Sequence, residues 1–136
     1  IDDQNPLYWR RYSEIKIKLN FFEEAVTGFD KCLSLNDNAI EVYIALTDVL
    51  TFLGEFNTAI HTLYKAQKFY KNFAEIEYRL AGLFFVLNKN SFGFDHLKNG
   101  LQIDYDYHII LNELYPTVFE NVKVQQLLQN FKKAFE

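Results

Sequence analysis

The chain contains no methionine, one cysteine, two prolines and five glycines in 136 residues. Each scarcity excludes something. A single cysteine, Cys32, cannot close a disulfide within the chain, which fits a reducing compartment, so a cytoplasmic location is the expectation. The lack of methionine, with isoleucine in first place, leads us to expect a fragment or a processed piece, from which a targeting segment could have been cut away. With so few prolines and glycines, long stretches are free to be helical. No apolar run approaches the ~20 residues of a membrane-spanning helix, and no signal-peptide pattern opens the sequence. The net charge of −4 gives no electrostatic reason to expect a phosphate backbone as ligand. Neither nucleic acid nor membrane is therefore an expected partner.

The chemistry-bearing motifs are missing too. Ser13, Ser34 and Ser91 lack a nucleophile elbow, and there is no glycine-rich phosphate loop. His61, His96 and His108 include no pair at i,i+4 spacing, whereas a zinc site wants three or four ligands with a supporting shell. No catalytic residue, metal or cofactor is expected, and the chain reads as no enzyme. Carboxylates read as solvated faces or helix partners, such as Glu14 with Lys18. Lys65, Lys68 and Lys71, interleaved with Tyr64 and Tyr70, read as the wet side of one helix rather than a nucleic-acid stripe. Cys32 reads as a small packing residue.

What is present is a folding composition, 49% hydrophobic and 18% aromatic, with a strong period. Ala25, Ala59 and Gly93 recur at one fixed interval. Around them Trp9, Tyr43, Glu77 and Leu111 fall in register, as do Tyr12, Leu46, Leu80 and Leu114. Ser13, Thr47, Ala81 and Tyr115 follow, then Phe29, Leu63 and Leu97, then Cys32, Ala66 and Gly100. Small residues are needed where helix backbones approach closely, and large apolar ones where side chains fill the gap between them. The interval, about 34 residues, is the length of one supersecondary unit that must stack on neighbours to bury its apolar face.

The pattern resembles tetratricopeptide repeats. The second copy carries it best, with Tyr43, Leu46-Thr47, Leu50, Gly54, Ala59, Leu63 and Ala66. The first keeps Trp9, Tyr12-Ser13, Ala25, Phe29 and Cys32, but has Lys16 at an apolar place. The third keeps Leu80-Ala81, Phe84, Gly93, Leu97 and Gly100, with Glu77 at the large aromatic position. The proline that usually closes a repeat is absent, its places held by Asp37, Lys71 and Tyr105. The resemblance implies an all-α fold, a right-handed superhelical solenoid of antiparallel helical hairpins with a concave groove.

Read this way, residues 1–136 form one domain. Repeats occupy about 6–39, 40–73 and 74–107, with a partial fourth helix and a capping helix in 108–136. The predicted helices are about 6–19, 22–35, 39–53, 56–70, 74–88, 91–103, 107–115 and 121–135. The last should cap the stack, with Val124, Leu127, Leu128, Phe131 and Phe135 on one face and Lys123, Gln125, Gln126, Gln129 and Lys132 on the other. At the other end Leu7, Tyr8, Trp9 and Tyr12 open a repeat with no helix before it, so further repeats upstream are expected.

In tetratricopeptide proteins the first helix of each hairpin lines the groove. By resemblance the partner-binding candidates are Arg10, Glu14, Ile17 and Lys18, then Glu41, Ile44, Asp48, Thr51 and Phe52, then Glu75, Tyr78, Arg79, Gly82, Phe85 and Val86. An apolar strip of Ile17, Ile44, Phe52, Tyr78 and Phe85 flanked by charge suits a peptide, with Tyr78 as its central, solvent-facing anchor. One subfamily clamps the carboxylate-ended tails of heat-shock chaperones with basic residues and asparagines. Here the matching places hold Arg10, Glu14, Ala45, Glu75 and Arg79, and acids beside a carboxylate repel it. The expected function is a non-catalytic interaction or scaffold module holding a protein or peptide partner. The alternatives are a regulatory or scaffolding appendage of a larger enzyme or transcription factor, or a self-association module.

Overall fold

A computed structural model describes residues 2–134. Phe135, assigned above to the apolar face of the capping helix, lies outside the described residues, as do Ile1 and Glu136. The fold is all-α, with no strand among the described residues. Six helices pair consecutively: α1 (Pro6–Lys18) with α2 (Phe22–Ser34), α3 (Ile40–Phe52) with α4 (Phe56–Gln67), and α5 (Ala74–Val86) with α6 (Asn90–Ile103). A 3-10 turn (Tyr105–His108), α7 (Ile109–Leu114), α8 (Pro116–Phe119) and α9 (Val122–Ala134) follow.

The hairpin turns repeat as faithfully as the sequence. Asn20, Gly54 and Asn88, one repeat apart from each other, all adopt left-handed backbone, at φ 63°, 77° and 59°. Each is followed by an amide that reaches back to a helix carbonyl: Phe21 to Lys16 at 2.8 Å, Glu55 to Leu50 at 2.9 Å and Lys89 to Phe84 at 2.9 Å. The left-handed residues themselves bond to Ile17, Thr51 and Phe85, each at 3.0 Å. This is the two-bond helix stop that a residue tolerant of positive φ permits, and asparagine and glycine are the residues that tolerate it. At the N-terminal ends, Asn5 Oδ1 accepts from the Leu7 amide at 3.0 Å, with Pro6 at the first helical place. Asn121 Oδ1 accepts from the Lys123 and Val124 amides at the start of α9.

The chain divides into two compact units, residues 1–70 and 71–136. In the first, α2 packs on both α1 and α3, and Ala25, Phe29, Cys32, Val42, Leu46, Leu50, Ala59, Leu63 and Ala66 form its core. The small positions are small for a visible reason. Ser13 Oγ donates to the Ala25 carbonyl at 2.7 Å, and a Cβ added at Gly28 would collide with that same hydroxyl. In the second unit, Tyr78, Ala81, Leu97, Leu101, Ile110, Leu111, Val124 and Leu128 make a closed cluster with Phe85, Phe94, Tyr115 and Leu127 packed around it. Apolar residues of α9 thus complete this core, as a capping helix must.

The region after the third hairpin differs from the expected single helix over about 107–115. Its first turn is 3-10, and Pro116 opens α8 rather than merely ending a helix. Proline is suited to a first helical turn, where its missing N–H has no partner to lose.

Candidate partner-binding surface

The predicted groove residues fall into two groups with different fates. In the first unit Arg10, Glu14 and Ile17 sit on α1, and Ile44, Asp48 and Phe52 on α3. Glu14 and Asp48 are exposed, Ile17 and Ile44 half-buried. Phe52 is 71% exposed, yet its ring lies 4.5 Å from that of Phe22, centroid to centroid. Arg10 is committed elsewhere: Nε and Nη2 donate to the two carboxylate oxygens of Asp37 at 2.5 Å each. This fork-to-fork bond holds the Asp37 carboxyl below the usual carboxylate range. It ties α1 to the α2–α3 connection.

In the second unit the expectation of a solvent-facing strip is corrected. Tyr78 has 0% exposure. Its ring fills the space beside Gly100, where an added Cβ would sit 3.0 Å from it, and its hydroxyl donates to the Asp104 carbonyl at 2.7 Å. Burial pushes its pKa upward, and Tyr107 stacks over it at 6.3 Å. Arg79 is buried too, donating through Nε to Glu75 Oε2 at 2.9 Å. The other oxygen of Glu75 accepts from the Tyr107 hydroxyl at 2.6 Å, a bond that raises the Tyr107 pKa to about 12. Gly82 lies under the Tyr115 ring, and Phe85 packs on Gly93 and, edge-on at 5.0 Å, on Phe94. Only Val86 at the end of α5 is exposed. The physical reason is local: the 3-10 turn, α7 and α8 all pack on α5.

Lys16 and Glu77, two of the departures from the repeat pattern, are accommodated by polar chemistry that sequence reasoning missed. Lys16 places its ammonium 5.3 Å from the ring centroids of both Tyr12 and Phe21 and pairs with Glu24 at 2.5 Å. Its stem and charge thus serve where an apolar side chain is usual. Glu77, buried at the aromatic position, lies 2.6 Å from His96 Nδ1 and accepts from Asn99 Nδ2 at 3.5 Å. His96 in turn lies flat against Phe84, 5.4 Å away and 2° from parallel. Glu77 and His96 meet across a helical hairpin, so a search for i,i+4 pairs passes over them.

His61 is exposed, and His108 stacks on Phe119 with Nδ1 2.6 Å from the Tyr105 carbonyl. Among the described residues no group of three His, Cys, Asp or Glu side chains could hold a metal ion. Cys32 is buried, its thiol 3.5 Å from the Pro6 carbonyl and its pKa pushed up to about 11 by burial. A thiol so placed is protonated at neutral pH and unreactive. Lys65 and Lys68 line a cleft of about 480 Å³ with Asp30, Leu33, Tyr43 and Phe69. No described helix is long and apolar enough to cross a membrane.

The paired helices, their evenly spaced turns and the small interhelix residues define the class: an all-α protein with the tetratricopeptide-repeat fold. Solved structures of that fold match nearly the whole chain. The crystal structure of MamA protein is 20% identical with a TM-score of 0.71, over 96% of this chain and 74% of that one. MamA 41-end from Desulfovibrio magneticus RS-1 is 15% identical, TM-score 0.67, over 96% and 77%. The first TPR of Spaghetti (RPAP3), solved with the HSP90 peptide SRMEEVD, is 15% identical, TM-score 0.66, over 99% and 96%. No family model and no curated protein sequence matches the chain.

Proposed function

We propose that the chain is a non-catalytic interaction module that holds an extended or helical partner segment against α1 and α3. The observation that carries this reading is Phe52, an aromatic ring left 71% exposed although it lies tilted against Phe22. Exposing such a ring costs roughly 25 cal/mol per Å² of apolar surface left in water, and partner contact recovers it. Ile17 and Ile44 supply further apolar area, and Glu14 and Asp48 a charged rim. Two acids at the rim favour a partner segment with basic residues. A neighbour of the same fold holds a peptide, which supports segment binding in general. An acidic, carboxylate-ended tail is a poor fit here, because Arg10 and Arg79 are each engaged by an acid of their own unit.

The test is selection of peptides from a displayed library on the intact chain, with Phe52→Ala as the counter-screen. Peptides rich in apolar and basic residues are expected. Their affinity should fall about thirtyfold in Phe52→Ala, the ~2 kcal/mol typical of a hot-spot aromatic, while stability falls only by the ~1 kcal/mol of the lost Phe22 contact. Peptides that bind Phe52→Ala and Ile44→Ala as tightly as the parent would overturn the reading.

A further inference from the structure

The repeat register allows one helix to be read against another. On α3, Val42, Leu46 and Val49 form a stripe that continues to Leu53, at i, i+4, i+7 and i+11. Val42 and Leu46 are 1% exposed and Val49 5%, and α2 packs on α3. The register-matched stripe on α1 is Tyr8, Tyr12, Ile15 and Leu19. It has two tyrosines in place of Val42 and Leu46, and Ile15 is 56% exposed and Leu19 55%, with Tyr8 and Tyr12 only half-buried. The third copy repeats the buried state, with Ile76, Leu80 and Leu83 at 0%. Two copies of the position are buried, and the first, built of aromatic and aliphatic residues, is open.

What covers the α3 stripe shows the kind of object that fits. The α2 face Phe22, Val26, Phe29 and Leu33 has the same spacing, and its two ends meet α3 or its cleft: Phe22 touches the Phe52 ring at a tilt, and Leu33 shares the cleft with Tyr43. Phe22 opens α2 and Phe52 closes α3, so the pair runs antiparallel. At the matching places α1 has Lys18 instead of Phe52 and Trp9 instead of Tyr43. Arg11 and Lys18, two helical turns apart, lie along one edge of the open stripe, and both are exposed.

We infer that the Tyr8–Tyr12–Ile15–Leu19 face of α1 is a docking site for an amphipathic helix of the α2 type. That helix lies antiparallel to α1, presents apolar residues at i+4, i+7 and i+11, and carries an acid in its first turn to meet Lys18. An acid there also suits the helix dipole of the partner itself. The site is distinct from the α1 surface of Arg10, Glu14 and Ile17, which lies roughly 160° around the axis at about 3.6 residues per turn. It is patterned on the α2–α3 interface inside this chain, and its exposed residues are Ile15 and Leu19 rather than Phe52.

The single tryptophan makes the site readable. Trp9 touches two members of the stripe, 5.0 Å from Tyr8 and 5.2 Å from Tyr12 between ring centroids, and is the only tryptophan in the sequence. The probe is a helix-constrained peptide of residues 21–36 carrying F22E, titrated into the intact protein while Trp9 emission is followed. A saturable change is expected, weakened about tenfold or more by Ile15→Glu and unaffected by Phe52→Ala. A control peptide that also carries F29E should not bind. Ile15 is exposed, so Ile15→Glu should keep the parent's circular dichroism and melting temperature. Equal affinity for Ile15→Glu and parent would overturn the inference. Concentration-dependent self-association of the protein alone, abolished by Ile15→Glu, would overturn it too, by assigning the face to a second copy.

Discussion

Tyr78 shows what one side chain does in this fold. Its ring occupies the gap that Gly100 leaves, its hydroxyl bonds the Asp104 carbonyl, and Ile110 and Leu111 share its cluster. Tyr78→Ala removes an aromatic from a closed core, and we expect a loss of about 3–5 kcal/mol, a large part of a domain's roughly 5–15. Tyr78→Phe deletes only the hydroxyl bond and should cost about 1 kcal/mol. Urea unfolding of the two variants separates packing from hydrogen bonding, and near-parental stability of Tyr78→Ala would show that the ring is not in the core. The helical period alone puts Tyr78 on the same face as Phe85, because the two stand at i and i+7. What hides Tyr78 is Gly100 and the segment from 104 to 111, and no local pattern around Tyr78 announces neighbours from the next helix and the turn beyond it. Glu77 is the same case, since its partner His96 lies across a hairpin. Cys32, by contrast, is legible as packing because Ala66 and Gly100 share its register and are equally enclosed.

Among the elements, α5 is the most enclosed, with every residue from Ile76 to Phe84 buried. Gly82 illustrates the tolerance. A methyl group there would overlap the Tyr115 ring, which comes from the end of α7. We therefore expect Gly82→Ala to cost about 1–3 kcal/mol through overpacking, although alanine is the better helix former by about 1 kcal/mol. Gly54→Ala meets open space but must hold φ at 77°, so its cost of about 1–2 kcal/mol comes from backbone strain alone. Thermal melts distinguish the two causes by a second change. Shortening the clashing ring, Tyr115→Ala, should make Gly82→Ala less costly and leave the Gly54→Ala penalty as it was. The hairpin helices and their turns are readable because each carries its own period and its own stop, Asn20, Gly54 or Asn88. The segment over about 107–115 reads as one short helix that Pro116 ends. Its 3-10 opening, and the further helix α8 that starts at Pro116, go with packing on α5, which sequence spacing does not encode.

For the whole molecule, the single-domain reading of residues 1–136 makes a definite claim about cooperativity. Two compact units meet in the sequence at Tyr70 and Lys71. In stacked repeats stability is a sum of repeat and nearest-neighbour terms, and a short array unfolds in one step while those neighbour terms dominate. We expect the full chain to melt in one transition, with its calorimetric and van't Hoff enthalpies equal. The placement of Trp9 sharpens the measurement, because the only tryptophan lies in the first unit while Leu128, 4% exposed, belongs to the core of the second. Leu128→Ala should cost about 2–5 kcal/mol in that core, through lost transfer energy and the cavity left behind. If the chain is one domain, the midpoint reported by Trp9 emission must fall as far as that reported by far-ultraviolet circular dichroism. If the Trp9 midpoint stays at the parental value while part of the helical signal melts earlier, each unit is a domain in its own right. That outcome would also localise the Phe52 surface and the open α1 stripe to a domain ending at Tyr70 and able to act without the rest.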